Sequence, residues 1–170
     1  LGKLTSLSTQ TDQHLDRLKD AAEACVSGAF WAAGQNCIGT QRIFVADAAY
    51  EPFVRYFVEL TGKMVVGDPL DDATDMGPMI GEEQAARVER WVDEAVSRGA
   101  TVLTGGEHRG NNVVTPAVVI GVTPAMRLYH EESFGPVVAV IDAEGADDAV
   151  RIANDSPYGL AAAVFTADEA

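Results

Sequence analysis

The sequence predicts an α/β fold, a mainly parallel sheet flanked by helices. Three observations carry that prediction. Apolar residues recur at helical spacing in four separate stretches. Short β-branched runs fall between those stretches, and such alternation is the pattern of a parallel sheet covered on both faces. The chain has 170 residues, 47% of them hydrophobic, enough for one domain with its own core.

Residues 1–11 are the least readable part. Thr5 to Thr11 is polar and rich in Ser and Thr, so this stretch reads as an unclear leader, an added segment or a divergent loop. Thr11 or Asp12 suits a helix cap. Leu15, Leu18, Ala22, Cys25, Ala29 and Ala33 then recur at helical spacing, which predicts a helix up to Ala33 with Cys25 on its core stripe. Gly34 lets the chain leave that helix and allows close backbone approach. Residues 41–46 read as a strand buried on both faces after the polar pair Gln41-Arg42.

Pro52 suits a first helical turn, and Phe53, Val54, Phe57, Val58 and Thr61 make one face up to Gly62. Residues 62–80 are rich in Gly, Pro and Asp, which predicts a long surface connection. Ala85, Val88, Val92, Ala95 and Val96 form the third stripe, with a charged opposite face and Gly99 as its stop. Strands follow at Thr101–Leu103 and Ala117–Ile120, and one opening at Pro136 runs through Ile141. Ala146, Ala149, Val150 and Ala153 suit a fourth helix, and Ala161 to Phe165 a last strand. Gly105, Gly106 and Gly110 do not form the G-x-G-x-x-G dinucleotide fingerprint.

Twelve basic residues face 26 acidic ones, for a formal charge of −14. That charge disfavours nucleic acid and anionic membranes as partners. No apolar run approaches the length that spans a bilayer. Two thiols without metal-type spacing suit a reducing, cytoplasmic compartment. His14, His108 and His130 form no H-E-x-x-H pattern, so zinc hydrolysis has no support and no metal site is expected.

Cys37 falls on the small-residue turn between the first helix and the first strand. A thiol there is partly exposed and near backbone N–H groups that favour a thiolate. On residue logic alone, two readings stay open: a nucleophile, or a small buried hydrophobe.

The string Gly34-Gln35-Asn36-Cys37, with Phe30 before it and Arg42 and Val45 after it, resembles the catalytic-cysteine signature of the NAD(P)-dependent aldehyde dehydrogenases. Glu131-Glu132-Ser133-Phe134-Gly135-Pro136-Val137 resembles that family's E-x-F-G-P motif. Asn154 to Ala161, then Val164-Phe165-Thr166, is similar to its N-x-x-x-Y-G-L-A and V-F-T segment. Gly67-Asp68-Pro69 and Gly77-Pro78 also match. The motifs are spaced and in order, and cover the chain from about residue 15 onward.

The resemblance implies an aldehyde dehydrogenase catalytic domain over residues 12–170, incomplete at both ends. It implies that a cysteine thiolate attacks an aldehyde, that the thiohemiacetal gives hydride to NAD or NADP, and that a water activated by a glutamate hydrolyses the thioester. Cys37 matches the nucleophile, and its backbone N–H one oxyanion donor. Glu132 matches the carboxylate that accepts from the nicotinamide-ribose hydroxyls, Phe134 the aromatic against the nicotinamide, and Gln84 a further ribose contact. The base glutamate and most cofactor contacts would lie on an N-terminal domain ahead of Leu1, and the full protein would be a homodimer or homotetramer. Alternatives are an acylating enzyme that passes the thioester to coenzyme A, and a non-catalytic interaction domain. The isolated chain is expected to be inactive.

Overall fold

The computed structural model describes residues 2–166, with side chains from Asp16 onward. Leu1 and the side chains of His14 and Leu15 therefore lie outside the described residues.

Helix α1 spans Gly2–Phe30 and passes through Thr11 and Asp12, so neither caps it. No proline interrupts this stretch, and its Ser and Thr residues weaken a helix without breaking it. Ala22, Cys25 and Ala29 are buried as the stripe predicts, and Phe30 is fully buried. The helix stops three residues short of the predicted end at Ala33. A 3₁₀ turn, Trp31–Gly34, follows, with Ala32 and Ala33 at φ 52° and 55°. Periodicity could not show this, because Ala33 is buried as a helical residue would be.

Strand β1 (Arg42–Ala46) leads into α2 (Asp47–Lys63). Only Ile43 and Val45 of β1 are buried, because β1 is an edge strand rather than one covered on both faces. Pro52 lies in the second turn of α2, not the first. The carbonyl that its missing N–H leaves unpaired belongs to Ala48, which is exposed to solvent. Phe53, Phe57 and Thr61 are buried, and Phe57 stacks on Phe53 and Phe30 at 5.7 and 6.2 Å, which docks α2 on α1.

The predicted long connection leads to α3 (Glu82–Ser97), whose Ala85, Val88, Val92 and Ala95 are buried. Val96, placed on that stripe by its spacing, is exposed. Strands β2 (Thr101–Thr104) and β3 (Ala117–Ile120) pair antiparallel. A one-turn helix, α4 (Arg127–His130), precedes β4 (Val137–Ala143), and α5 (Ala146–Asn154) follows it. Val150, assigned to the core face of α5, is exposed instead.

The sheet order is β1-β4-β3-β2, with β4 parallel to both β1 and β3. Central β4 has Val137 through Ile141 all buried, the run expected of a strand covered on both faces. Ala161–Phe165 forms no strand, and Leu160, Val164 and Phe165 are exposed. β-propensity alone does not make a strand where no neighbour supplies the ladder.

Candidate active site

Cys37 is exposed at the tip of a loop whose base is closed by the Thr40 N–H donating to Gly28 O at 3.0 Å. Gly28 has no room for a side chain there, since a Cβ would lie 2.7 Å from the Thr40 hydroxyl. Within the loop, Asn36 accepts the N–H groups of Ile38 through Oδ1 and Gly39 through its carbonyl, both at 3.1 Å. The Cys37 N–H has no partner among the described residues.

The left-handed run Ala32-Ala33-Gly34 turns the chain so that Gly34 meets Gly135 backbone to backbone. A Cβ at Gly34 would lie 2.2 Å from the Gly135 carbonyl oxygen. A Cβ on Gly135 would meet side-chain ends instead, Val88 Cγ2 at 2.4 Å and Met79 Cε at 3.2 Å. Three segments distant in sequence thus meet: the cysteine loop, the 131–136 loop and the start of α3.

Two glutamine side chains fix this junction. Gln35 Oε1 accepts the Ile80 N–H at 2.9 Å, while its Nε2 donates to Ala32 O at 3.1 Å. Gln41 Oε1 accepts the Ser133 N–H at 2.8 Å and its hydroxyl at 3.4 Å. Ser133, between Glu132 and Phe134, is buried. In the sequence, Gln35 stands only as part of a motif and Gln41 only as a polar strand start. Their places two before and four after Cys37 were the available signal.

Phe134 is 40% exposed and held at φ 45°, a conformation that costs an aromatic residue strain. Glu132 is half-buried, and its carboxylate has no hydrogen-bond partner among the described residues. Gln84 is half-buried in the first turn of α3, four residues beyond Ile80. All four residues singled out from the sequence therefore sit on the three segments that meet. Glu132, Phe134 and Gln84 each keep part of their side chain open on these segments. Among the described residues no cluster of His, Cys, Asp or Glu could hold a metal.

Burial pushes the Cys25 thiol up to about 11. Arg42, after the loop, is half-buried, stacks over Phe44 and Tyr129, and donates to Ala153 O at 3.3 Å. Burial lowers its pKa, while Tyr129 and Asp155 pull it upward.

The fold and the junction define a class: a mainly parallel α/β module built around one surface thiol. Comparison with known sequences gives the family. The aldehyde dehydrogenase family profile matches residues 12–170, and the chain belongs to that family. It is 47% identical over 148 residues to a protein of Sinorhizobium fredii described as aldehyde-dehydrogenase-like, covering 87% of this chain and 29% of that protein. It also resembles the NADP-dependent glyceraldehyde-3-phosphate dehydrogenase of Bacillus halodurans, solved with NADP, with TM-score 0.84 and 41% identity over 89% of this chain and 31% of that one. An NAD-dependent aldehyde dehydrogenase of Sinorhizobium meliloti superposes with TM-score 0.86 at 35% identity, covering 89% of this chain and 31% of that one. The chain thus spans roughly a third of the length of these relatives.

Proposed function

We propose that this chain is the thiol-bearing catalytic part of an NAD(P)-dependent aldehyde dehydrogenase that converts an aldehyde to a carboxylic acid. The carrying observation is the exposed Cys37 on a loop clamped against the segments of Glu132, Phe134 and Gln84.

In this reading the Cys37 thiolate attacks the aldehyde carbon and forms a C–S bond. The carbonyl oxygen takes up the electron pair and faces the free Cys37 N–H, one donor of an oxyanion hole. Glu132 accepts hydrogen bonds from ribose hydroxyls, Gln84 adds another contact, and Phe134 packs against the ring. A bound oxidised nicotinamide supplies the hydride acceptor. Water activated by a base outside this chain then releases the acyl group from Sγ. The NADP- and NAD-dependent neighbours support either cofactor. We read the whole protein as a homodimer or homotetramer with its main cofactor domain ahead of Leu1. The formal charge of −14 and the two free thiols suit a reducing, cytoplasmic setting without nucleic-acid or membrane partners. Among the described residues no helix is long and apolar enough to cross a membrane.

The full-length protein, wild type and Cys37→Ala, tests this through NAD(P)H formation with aldehydes, with and without coenzyme A. Loss of at least about a thousandfold in Cys37→Ala is expected, as for other removed nucleophiles. Turnover within tenfold of wild type would refute the assignment of Cys37. A rate dependent on coenzyme A would move the enzyme to the acylating type. The isolated 170-residue chain should show no turnover, since positioning alone supplies about 7–11 kcal/mol of such barriers.

A further inference from the structure

We infer that Gln35 and Gln41 are positioning residues with separable tasks. Gln35 sets the thiol against the start of α3, and Gln41 sets the loop that presents Glu132 and Phe134. The inference rests on the reading of Cys37 as nucleophile and deepens it.

The two side chains leave the cysteine loop on opposite flanks and reach different segments. Gln35 is bidentate. It holds its own turn through Ala32 O and the Ile80 N–H through Oε1, at 3.1 and 2.9 Å. That second bond spans 45 positions in sequence and reaches the residue just before the Gly81 cap of α3. Gln41 spans 92 positions and accepts from Ser133, the residue between the two cofactor candidates. Each bond satisfies a backbone N–H that no helix or strand ladder would otherwise take. Gly34 against Gly135 brings the segments together, but a steric contact between two glycines fixes a distance and leaves rotation open. A directional hydrogen bond on each flank removes that freedom.

The consequences differ by flank. Freeing the Ser133 N–H loosens the loop of Glu132 and Phe134, so cofactor binding suffers. Freeing Ile80 loosens the thiol's own turn. A displacement of about 1 Å there can cost about a hundredfold in rate while leaving cofactor contacts in place. A glutamine that only supported the fold would show neither pattern, lowering stability and the active fraction together.

The test uses the full-length enzyme with Gln41→Met, Gln41→Glu, Gln35→Met and Ser133→Ala, plus Cys37→Ala as reference. Gln41→Met removes the acceptor at nearly constant shape and should raise the KM for the nicotinamide cofactor about tenfold, about the loss of one hydrogen bond. Its KM for the aldehyde should stay within about twofold. Gln41→Glu retains an acceptor for the Ser133 N–H and should recover most of the cofactor KM. Ser133→Ala keeps that N–H, loses only the longer hydroxyl contact at 3.4 Å, and should raise the cofactor KM less than Gln41→Met does. Gln35→Met should instead lower kcat about tenfold or more, with the cofactor KM within about twofold. Wild-type constants in both methionine variants would overturn the inference. So would a parallel loss of kcat and thermal stability in both, with no split between kcat and KM. An active Cys37→Ala enzyme would signal failure of the parent reading. An inactive one beside wild-type-like glutamine variants would sink only the clamp.

Discussion

Cys25 and Cys37 stand close in sequence and in opposite physical states. Cys25 lies on a regular helix, buried between Ala22 and Ala29, where desolvation disfavours its thiolate. Cys37 lies where regular structure stops, on a loop whose backbone is held by contacts from distant segments. One thiol is placed by local periodicity and the other by long-range geometry. Chain position says little about reactivity. What matters is which part of the structure supplies the walls.

The largest way to break this contrast is Gly34→Ala. The added Cβ would meet the Gly135 carbonyl oxygen at 2.2 Å in a backbone already at φ 68°. The turn should open at a cost of about 2–3 kcal/mol, visible in denaturant unfolding, with the ordered surroundings of Cys37 lost and those of Cys25 kept. Wild-type stability would mean that the two loops do not touch.

Differential alkylation sharpens the contrast next. At pH 8 a thiol with a pKa near 11 is thiolate in only about one part in a thousand, and burial adds a barrier to access. Brief, limiting iodoacetamide followed by mass spectrometry should find Cys37 labelled at least about tenfold faster. The gap should narrow as pH approaches 11, because Cys25 then ionises. Faster labelling of Cys25 would reverse the assignment.

The smallest effect concerns a remote support of the Cys37 side. His108 Nε2 donates to Asn111 O at 2.7 Å, and its Nδ1 faces Glu89 at 3.2 Å. The Asn111 carbonyl, the bond to Glu89 and the nearby Glu82 hold the His108 pKa above its usual value. Asn112, next to Asn111 in the chain, exchanges hydrogen bonds with Met79, which packs on Gly135. A raised folded-state pKa gives stability that is full below the unfolded value and fades as pH rises through the folded one. His108→Gln should therefore lower the melting temperature at pH 5.5 and much less at pH 8.5. An equal loss at both pH values would show that His108 acts by shape rather than charge.

Residue order alone settles the features that depend on neighbours in the chain. The apolar stripes located α1, α2, α3 and α5, and β-branched runs located four strands, because helical and strand periods are local properties. The glycine and cysteine spacing marked the turn at Gly34 and the thiol on it. Tertiary structure alone decided the rest. Ala32 and Ala33 sit in the left-handed region against their own preference, with Ala33 buried and Ala32 exposed. Edge or central position decided that β1 buries alternate residues and β4 a continuous run. Ala161–Phe165, strand-like in composition, forms no strand because pairing needs a neighbour that composition does not contain. The sequence places Gln35 in the cysteine motif and Gln41 at a polar strand start, but their bonds to Ile80 and Ser133, remote in sequence, belong to the tertiary structure. Periodicity encodes which face a residue occupies, whereas a site depends on which faces meet.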